Sequence, residues 1–89
     1  MVSVKKLVLD VLKPHQPNSL EFSCNLADVG DDYRVELTVI EVDESTETLQ
    51  VIIEGSDLHF EAIQAAITDM SGSLHSIDVV EVMSKPDIE

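Results

Sequence analysis

The segment that most constrains the fold is the apolar run at residues 4–12, VKKLVLDVL. Every second residue from 7 to 11 is Leu or Val, whereas Asp10 lies on the opposite side. A period of two residues is typical of a β-strand with one apolar face. Pro14 follows at once, and proline lacks the N–H that a strand ladder needs. The segment therefore predicts a strand that ends there and packs its Leu/Val side inward.

Five further segments show the periods of helices or strands. Apolar residues recur every three or four positions in two of them, which is typical of amphipathic helices, and alternate in the other three. The predicted elements are strands at 4–12, 33–42, 49–54 and 74–83 and helices at 17–28 and 58–70. The polar stretch at 43–48, DESTET, joins two strands into a hairpin.

Both predicted helices carry start or stop signals. Pro17 suits the first turn of the first helix, Asp57 suits the cap of the second, and Gly72 suits a left-handed residue after it. The spacing predicts inward residues on both helices, namely Leu20, Cys24 and Ala27 on the first and Ile63, Ala66, Ile67 and Met70 on the second.

The element order β-α-β-β-α-β is the split βαβ pattern of the ferredoxin-like fold. Right-handed crossovers then give a four-stranded antiparallel sheet in the order 4-1-3-2, with two helices on one face. We predict an α+β fold in one domain, residues 1–89, with a core at about 4–83 and a tail at 84–89.

The sheet face without helices is predicted to be too apolar for solvent. Scattered surface aliphatics are the alternative explanation. We expect this face to be buried in a homo-oligomer, through the residues Val8, Leu12, Ile40, Val42, Ile52, Val80 and Val82.

The composition excludes several partners. Eighteen acidic residues and five basic ones give a net charge of −13, which repels nucleic acids and anionic membrane surfaces. No apolar run reaches the ~20 residues that span a bilayer. Cys24 is the single cysteine, so the chain cannot form an internal disulfide, and we expect a cytoplasmic protein.

Polar residues are predicted to meet at one edge of the sheet, where strand 1 ends, strand 4 begins and the hairpin turns. His15, Glu41, Asp43 and His75 belong to this edge. Carboxylates favour hard divalent cations, so we expect calcium or magnesium rather than zinc, or a small ligand. The alternative is that these groups are solvated and stabilise the start of the first helix.

A second polar pair, Asp10 and Asp78, is expected on the open face, next to Ser76. Two neighbouring carboxylates are able to share a proton or bind a cation. The alternative is a polar device that fixes strand register or subunit docking.

Other functions find no support in the residues. The open strands lack the aromatic residues of an RNA-recognition domain, and the loop after the first strand, KPHQPN, lacks paired cysteines or an arginine. No catalytic motif is present, so we do not expect an enzyme. A regulatory domain of the ACT kind, which binds a small molecule such as an amino acid between subunits, stays open.

Three segments resemble a known family: KKLVLDVLKPHQP, LTVIEVDESTETLQVIIEG and GSLHSIDVVEV. Together they resemble the archaeal domain of unknown function 211 family over about residues 4–83. The resemblance implies a ferredoxin-like fold and assembly into multimers, including rings, but no activity. It also matches the candidate residues Asp10, His15, Glu41, Asp43, His75 and Asp78 to polar motif positions, without assigning them a role.

Overall fold

The structure, a computed structural model, describes residues 1–86 of the 89-residue chain. Its elements are β1 (Val2–Pro14), α1 (Ser19–Ala27), β2 (Arg34–Val42), β3 (Thr46–Leu58), α2 (Phe60–Asp69) and β4 (Ser73–Ser84). The strands form one antiparallel sheet in the order β2-β3-β1-β4, which is the predicted order read from the other edge. The predicted ferredoxin-like fold is confirmed. Of the predicted tail, Ser84 belongs to β4, and residues 87–89 lie outside the described residues.

The helices are much shorter than the strands they cover. β1 and β3 have 13 residues each, and α1 and α2 have 9 and 10. At about 3.3 Å per residue the strands extend about 40 Å, whereas at about 1.5 Å per residue the helices extend about 15 Å. Parts of the sheet therefore lie beyond the helices. No helix within residues 1–86 is long and apolar enough to cross a membrane.

The core lies between the helices and the sheet face that we call the helix face. β1 and β3 supply most of it, because their alternate side chains point there. Its buried members are Leu7, Leu9, Val11, Phe22, Leu26, Tyr33, Leu49, Val51, Ile53, Leu58, Ile63 and Ile67. Ile63 and Ile67 of α2 are buried, and Ala66 and Met70 pack against the core as predicted.

The predicted inward stripe of α1 is wrong. Phe22 and Leu26 are fully buried, whereas Leu20 is 75% exposed, Cys24 is exposed and Ala27 is half-buried. Both stripes have helical spacing, so the spacing does not choose between them. The structure buries the stripe with the larger apolar area, since an aromatic ring gains most from leaving water.

The two helices also start differently from the prediction. Asn18 caps α1, where its side chain accepts a hydrogen bond from the Glu21 N–H at 2.8 Å. His59, not Asp57, occupies the cap position of α2 and makes no side-chain cap bond. Its backbone N–H instead donates to the Tyr33 hydroxyl at 2.8 Å.

The end of α2 departs from the prediction for Gly72. Ser71 takes the left-handed conformation, with φ of 66°, and no glycine in residues 1–86 has a positive φ. A Cβ on Gly72 would lie 2.9 Å from Ile67 Cγ2. Glycine is required here by close packing on α2 and not by its backbone angle.

Register shifts move several residues away from the open face, the sheet face opposite the helices. Val42 pairs with Glu47, which belongs to the helix face, because β2 shifts register between Val39 and Glu41. Ile40 lies at that shift. The prediction that Ile40 and Val42 continue the open face is therefore wrong for Val42.

The register of β4 also shifts. It shifts register against β1 at three places, so Val80 pairs with Leu7 and Val82 with Val4, both on the helix face. The predicted open-face positions of Val80 and Val82 are wrong. Val79, which is not among the residues predicted there, pairs with Val8 on the open face.

The open face is banded and not uniformly apolar. Its residues align across the four strands in rows, and the register gives each row from β2 to β4. The rows are Arg34-Glu54-Lys6-Glu81, Glu36-Ile52-Val8-Val79, Thr38-Gln50-Asp10-Ser76 and Glu41-Thr48-Leu12-Ser73. Val8 is buried and Leu12 and Ile52 are half-buried. Only one row is mainly apolar, so the expected excess of exposed aliphatics is not on this face.

Candidate functional site

Lys13 is the most unusual side chain near the predicted polar edge. It continues the alternate positions that begin at Leu7, and so points toward the helix face at the end of the core. Its side chain is fully buried, with Nζ 6.0 Å from the centre of the Phe22 ring on α1. A buried ammonium group needs compensating partners because its desolvation is costly.

Four oxygen atoms provide those partners. Lys13 Nζ donates to the carbonyl oxygens of Pro14 at 2.9 Å, Pro17 at 2.8 Å and His15 at 3.5 Å. It also lies 2.9 Å from Glu47 Oε1 at the start of β3. The segment that these bonds hold contains a cis peptide bond before Pro17. Lys13 thus ties the segment after β1 to the hairpin.

His15 ties the same two segments together from the solvent side. Its Nδ1 lies 2.9 Å from Glu47 Oε2, and its Nε2 lies 2.9 Å from the Glu44 carbonyl oxygen. Its side chain is 40% exposed. Lys13, His15 and Glu47, which we call the polar cluster, place one carboxylate between two basic groups.

These contacts shift the pKa values of His15 and Glu47 in opposite directions. The hydrogen bond to Glu47, followed by that to the Glu44 carbonyl, raises the pKa of His15 above its ordinary 6.5. The hydrogen bond from His15, followed by the contact with Lys13, lowers the pKa of Glu47 below its ordinary 4.5. Both directions favour a carboxylate between two cations over a wide pH range.

The structure brings together only part of the predicted polar edge. His15 reaches the hairpin turn, whose closing bond runs from the Asp43 N–H to the Thr46 carbonyl at 2.8 Å. Glu41 pairs with Thr48 on the open face. His75 is exposed on β4, which two other strands separate from β2. The predicted meeting of both histidines with the acidic turn is therefore wrong for His75.

The described residues do not assemble a metal centre within one chain. Across residues 1–86, no three His, Cys, Asp or Glu side chains lie close enough to hold one ion. Both ring nitrogens of His15 already face oxygen atoms of the hairpin. This edge instead contains an internal ion cluster centred on Glu47. Glu47 belongs to the polar stretch at 43–48 but was not predicted as a site residue.

Both members of the second predicted pair, Asp10 and Asp78, lie beside Ser76. Asp10 is half-buried and aligns with Gln50 on one side and Ser76 on the other. The Ser76 hydroxyl donates to Asp78 Oδ1 at 2.7 Å. Asp78 itself lies at a register shift of β4, between the residues that pair with Val8 and Leu9. Asp78 therefore lies beside Ser76, as expected, at a bulge in the pairing of β4 with β1.

Exposed aliphatic side chains concentrate on the two outer strands. The β4 surface consists of Ile77, Val79, Val80, Val82 and Met83, which are 43% to 60% exposed. The hairpin surface consists of Val39, Ile40 and Val42, which are 41% to 62% exposed. Both strands lie at the edges of the sheet, where backbone groups on one side have no neighbouring strand among residues 1–86.

A groove opens where β1 begins and α2 starts. Its volume is about 590 Å³. It is lined by Met1, Val2, Val4, Asp57, Leu58, His59, Phe60, Glu61 and Lys85. Val4 pairs with Val82, so the groove borders the β4 surface. Lys85 Nζ lies 3.6 Å from Asp57 Oδ2 at its rim.

Comparison with known proteins agrees with the sequence resemblance. Residues 5–86 match the domain of unknown function 211 family, described as uncharacterized ArCR. An uncharacterized protein of Methanocaldococcus jannaschii is 40% identical over 80 residues, which are 90% of this chain and 82% of that protein. The match covers most of the chain, including the polar cluster and both outer strands, and the chain therefore belongs to the domain of unknown function 211 family.

Proposed function

We propose that the protein is a homo-oligomeric, non-enzymatic module that associates through its outer strands. The β4 surface carries this proposal. Five aliphatic side chains on one strand are each about half exposed, and they lie on both faces of the sheet. Exposed apolar side chains clustered on one edge strand are typical of an interaction site, and burying them against another chain is favourable.

The backbone of β4 supports the same proposal. β4 is an edge strand of 12 residues that pairs with β1 alone among the strands of residues 1–86. An edge strand presents unpaired N–H and C=O groups, which invite another strand. Its register shifts, together with Asp78 and Glu81, limit indiscriminate pairing. A specific partner of matching shape is therefore favoured over general aggregation.

A second copy of the chain fits better than an unrelated anionic partner. Each copy carries two exposed outer strands, so every outer strand has a possible partner strand at the same concentration. The net charge of −13 opposes association at long range, but the open-face row of Arg34, Glu54, Lys6 and Glu81 alternates in sign and permits close approach. The family resemblance also implies multimers. The exposed free thiol of Cys24 suits a reducing cytoplasm, where we place the assembly.

Sedimentation velocity and native mass spectrometry over a range of concentrations test the proposal. We expect species heavier than the 9.8 kDa chain. Val80→Glu should weaken association at least about tenfold, because it puts a charge into the β4 surface. Ala65→Glu, on an exposed position of α2, adds the same charge elsewhere and should leave association unchanged. A wild-type chain that stays monomeric up to millimolar concentration would contradict the proposal.

A second candidate function concerns the groove beside the β4 surface. If copies join through β4, the groove lies next to their interface, where a regulatory domain of the ACT kind would bind a small molecule. Lys85 offers a cation at its rim, and Asp57 and Glu61 offer anions, which suits the two charges of an amino acid. Thermal melts against the amino acids test this, since a ligand of the folded state raises the melting temperature. No shift with any of them would contradict it.

Divalent-cation binding stays a prediction. No single chain supplies three ligands within residues 1–86, so a cation site would draw carboxylates from more than one copy. The same native mass spectra, recorded after incubation with calcium or magnesium and after chelation, report retained metal together with subunit number.

A further inference from the structure

Both ring nitrogens of His15 face oxygen atoms that only accept hydrogen bonds. Nδ1 meets a carboxylate oxygen of Glu47, and Nε2 meets the backbone carbonyl of Glu44, each at 2.9 Å. A neutral imidazole carries one N–H and so can donate to only one of them, whereas an imidazolium donates to both. The geometry is therefore that of a protonated His15.

The two acceptors belong to one structural unit, the end of the β2–β3 hairpin. Glu44 lies in the turn, and Glu47 lies at the start of β3. His15 lies on the segment that leaves β1. When His15 is protonated, it joins this segment to the hairpin by two hydrogen bonds. When it is neutral, one of the two contacts becomes a pairing of two acceptors and is lost.

The charges around His15 come from three elements. Lys13 of β1 touches the other oxygen of Glu47 at 2.9 Å and opposes a second cation nearby. Glu47 of β3 favours it, and the backbone carbonyl of Glu44 in the turn favours it as well. From α1, the Phe22 ring approaches Lys13 and adds no charge. The raised pKa of His15 agrees with the geometry, because the hydrogen bonds to Glu47 and to the Glu44 carbonyl outweigh the desolvation of the imidazole.

The hairpin end also carries the hairpin surface. Val42 pairs with Glu47, and Ile40 and Val42 are 61% and 62% exposed. The carboxylate that His15 holds is therefore in register with an exposed aliphatic side chain of the proposed association surface. A change at His15 reaches that surface through a single strand pair.

We propose that His15 is a proton-controlled clamp on the hairpin end, and that its protonation orders the hairpin surface for self-association. The regulatory part rests on the proposed function. At low pH the clamp is closed and the hairpin surface is held in one arrangement. As the pH rises and His15 loses its proton, the hairpin end becomes mobile and association through it weakens.

The clamp itself is tested by NMR on the full chain. The imidazole signals of His15 give its titration, and the Asp43 amide, which closes the turn, reports hairpin order. Exchange is expressed as a protection factor, which removes the pH dependence of the intrinsic rate. We expect protection at Asp43 to fall severalfold along the His15 titration. His15→Gln should give the same low protection at every pH. His59→Gln, at the exposed cap position before α2, should show the wild-type protection of Asp43.

The second arm measures association by sedimentation on both sides of the His15 titration. Tighter association at the lower pH in the wild type, but not in His15→Gln, supports the full proposal. Asp43 protection that ignores the titration overturns the clamp, whatever the association does. Protection that follows the titration while association does not overturns the regulatory part. A chain that is monomeric at every pH overturns the proposed function and leaves the clamp to be decided by Asp43. If His15→Gln fails to fold, the wild-type titration alone decides.

Discussion

The polar cluster and the β4 surface differ in whether their side chains find partners within one copy of the chain. In the cluster, a fully buried Lys13 and a partly exposed His15 find all their partners within the chain. On the β4 surface, Val80 and Val82 remain more than half exposed although they align with core strands. The first region is complete in a single copy. The second has no cover among residues 1–86, and this difference is why we assign direct association to β4 and an internal clamp to the cluster.

The energetics point the same way. Burying an aliphatic side chain fully contributes about 1.5–3 kcal/mol relative to leaving it exposed. Five half-exposed side chains on β4 therefore hold several kcal/mol that the isolated chain does not recover. Association loses part of this to the entropy of joining two molecules. A buried ion pair gains little over apolar packing, but breaking it is costly. Substitutions in the two regions should thus differ in how much they lower the free energy of unfolding, and in whether that loss depends on protein concentration.

The largest effect is expected from Lys13→Met. It removes the ammonium from Glu47 and from the three carbonyl oxygens that it reaches, so we expect a loss of about 3 kcal/mol in the free energy of unfolding. Lys6→Met is the matched control, because Lys6 lies on the same strand, 36% exposed and 3.9 Å from Glu54. Exposed pairs of this kind contribute about 0–1 kcal/mol. Urea unfolding measures both, and equal losses would contradict the distinction.

The next effect separates the β4 surface from the core. Val11→Ala, at a fully buried position of β1, should cost about 2 kcal/mol, whereas Val80→Ala should cost below about 1 kcal/mol in dilute, monomeric protein. If copies associate through β4, the cost of Val80→Ala rises with protein concentration, since association stabilises the folded state. The cost of Val11→Ala does not. Denaturation at two widely separated concentrations measures the difference, and a constant cost for Val80→Ala would remove β4 from the interface.

A smaller effect compares the two helix starts. Asn18→Ala removes the cap of α1 next to the polar cluster and should cost about 1 kcal/mol. The start of α2 has no side-chain cap, so His59→Asn should stabilise the protein by about 0.5–1 kcal/mol. Thermal unfolding followed by circular dichroism measures both changes. A loss on His59→Asn would show that its imidazole contributes more than the missing cap.

The sequence was sufficient for element order, strand order and most of the core. Those features follow from the period of apolar residues, which β1 shows clearly at every second position. The faces of β2 and β4 were not predictable in the same way. A register shift near Ile40 and others at His75 and Asp78 reverse which side later residues occupy. Such bulges depend on pairing with the neighbouring strand and leave no period in a single segment.

The polar cluster was only partly predictable, for a related reason. Lys13 continues the inward alternation of β1, and this was a usable signal for burial. Its pairing with Glu47 was not predictable, because β3 begins at Thr46, earlier than the apolar pattern indicates. The choice of Phe22 over Cys24 on α1 required comparing buried areas, because both satisfy the helical spacing.

The smallest effect is the pH dependence of the cluster, and it isolates His15 from the rest of the chain. The quantity is the difference in the free energy of unfolding between the wild type and His15→Gln, measured by urea denaturation across pH. Taking this difference cancels the general effect of protonating an acidic chain with a net charge of −13. His59→Gln serves as the control and should keep the wild-type profile.

The direction of this pH dependence follows from the pKa shifts of His15 and Glu47. The pKa of His15 is raised from 6.5 on folding, so its contribution is complete below 6.5 and disappears as the pH rises through the higher folded value. The pKa of Glu47 is lowered from 4.5, so its contribution is complete above 4.5 and disappears as the pH falls through the lower folded value. The wild-type advantage should therefore form a plateau between 4.5 and 6.5 and shrink on both sides. High salt should lower the plateau, because His15 is partly exposed and its charge is screened. A difference that is flat across the whole range would show that the imidazole contributes packing and not charge, and the polar cluster would then depend on Lys13 alone.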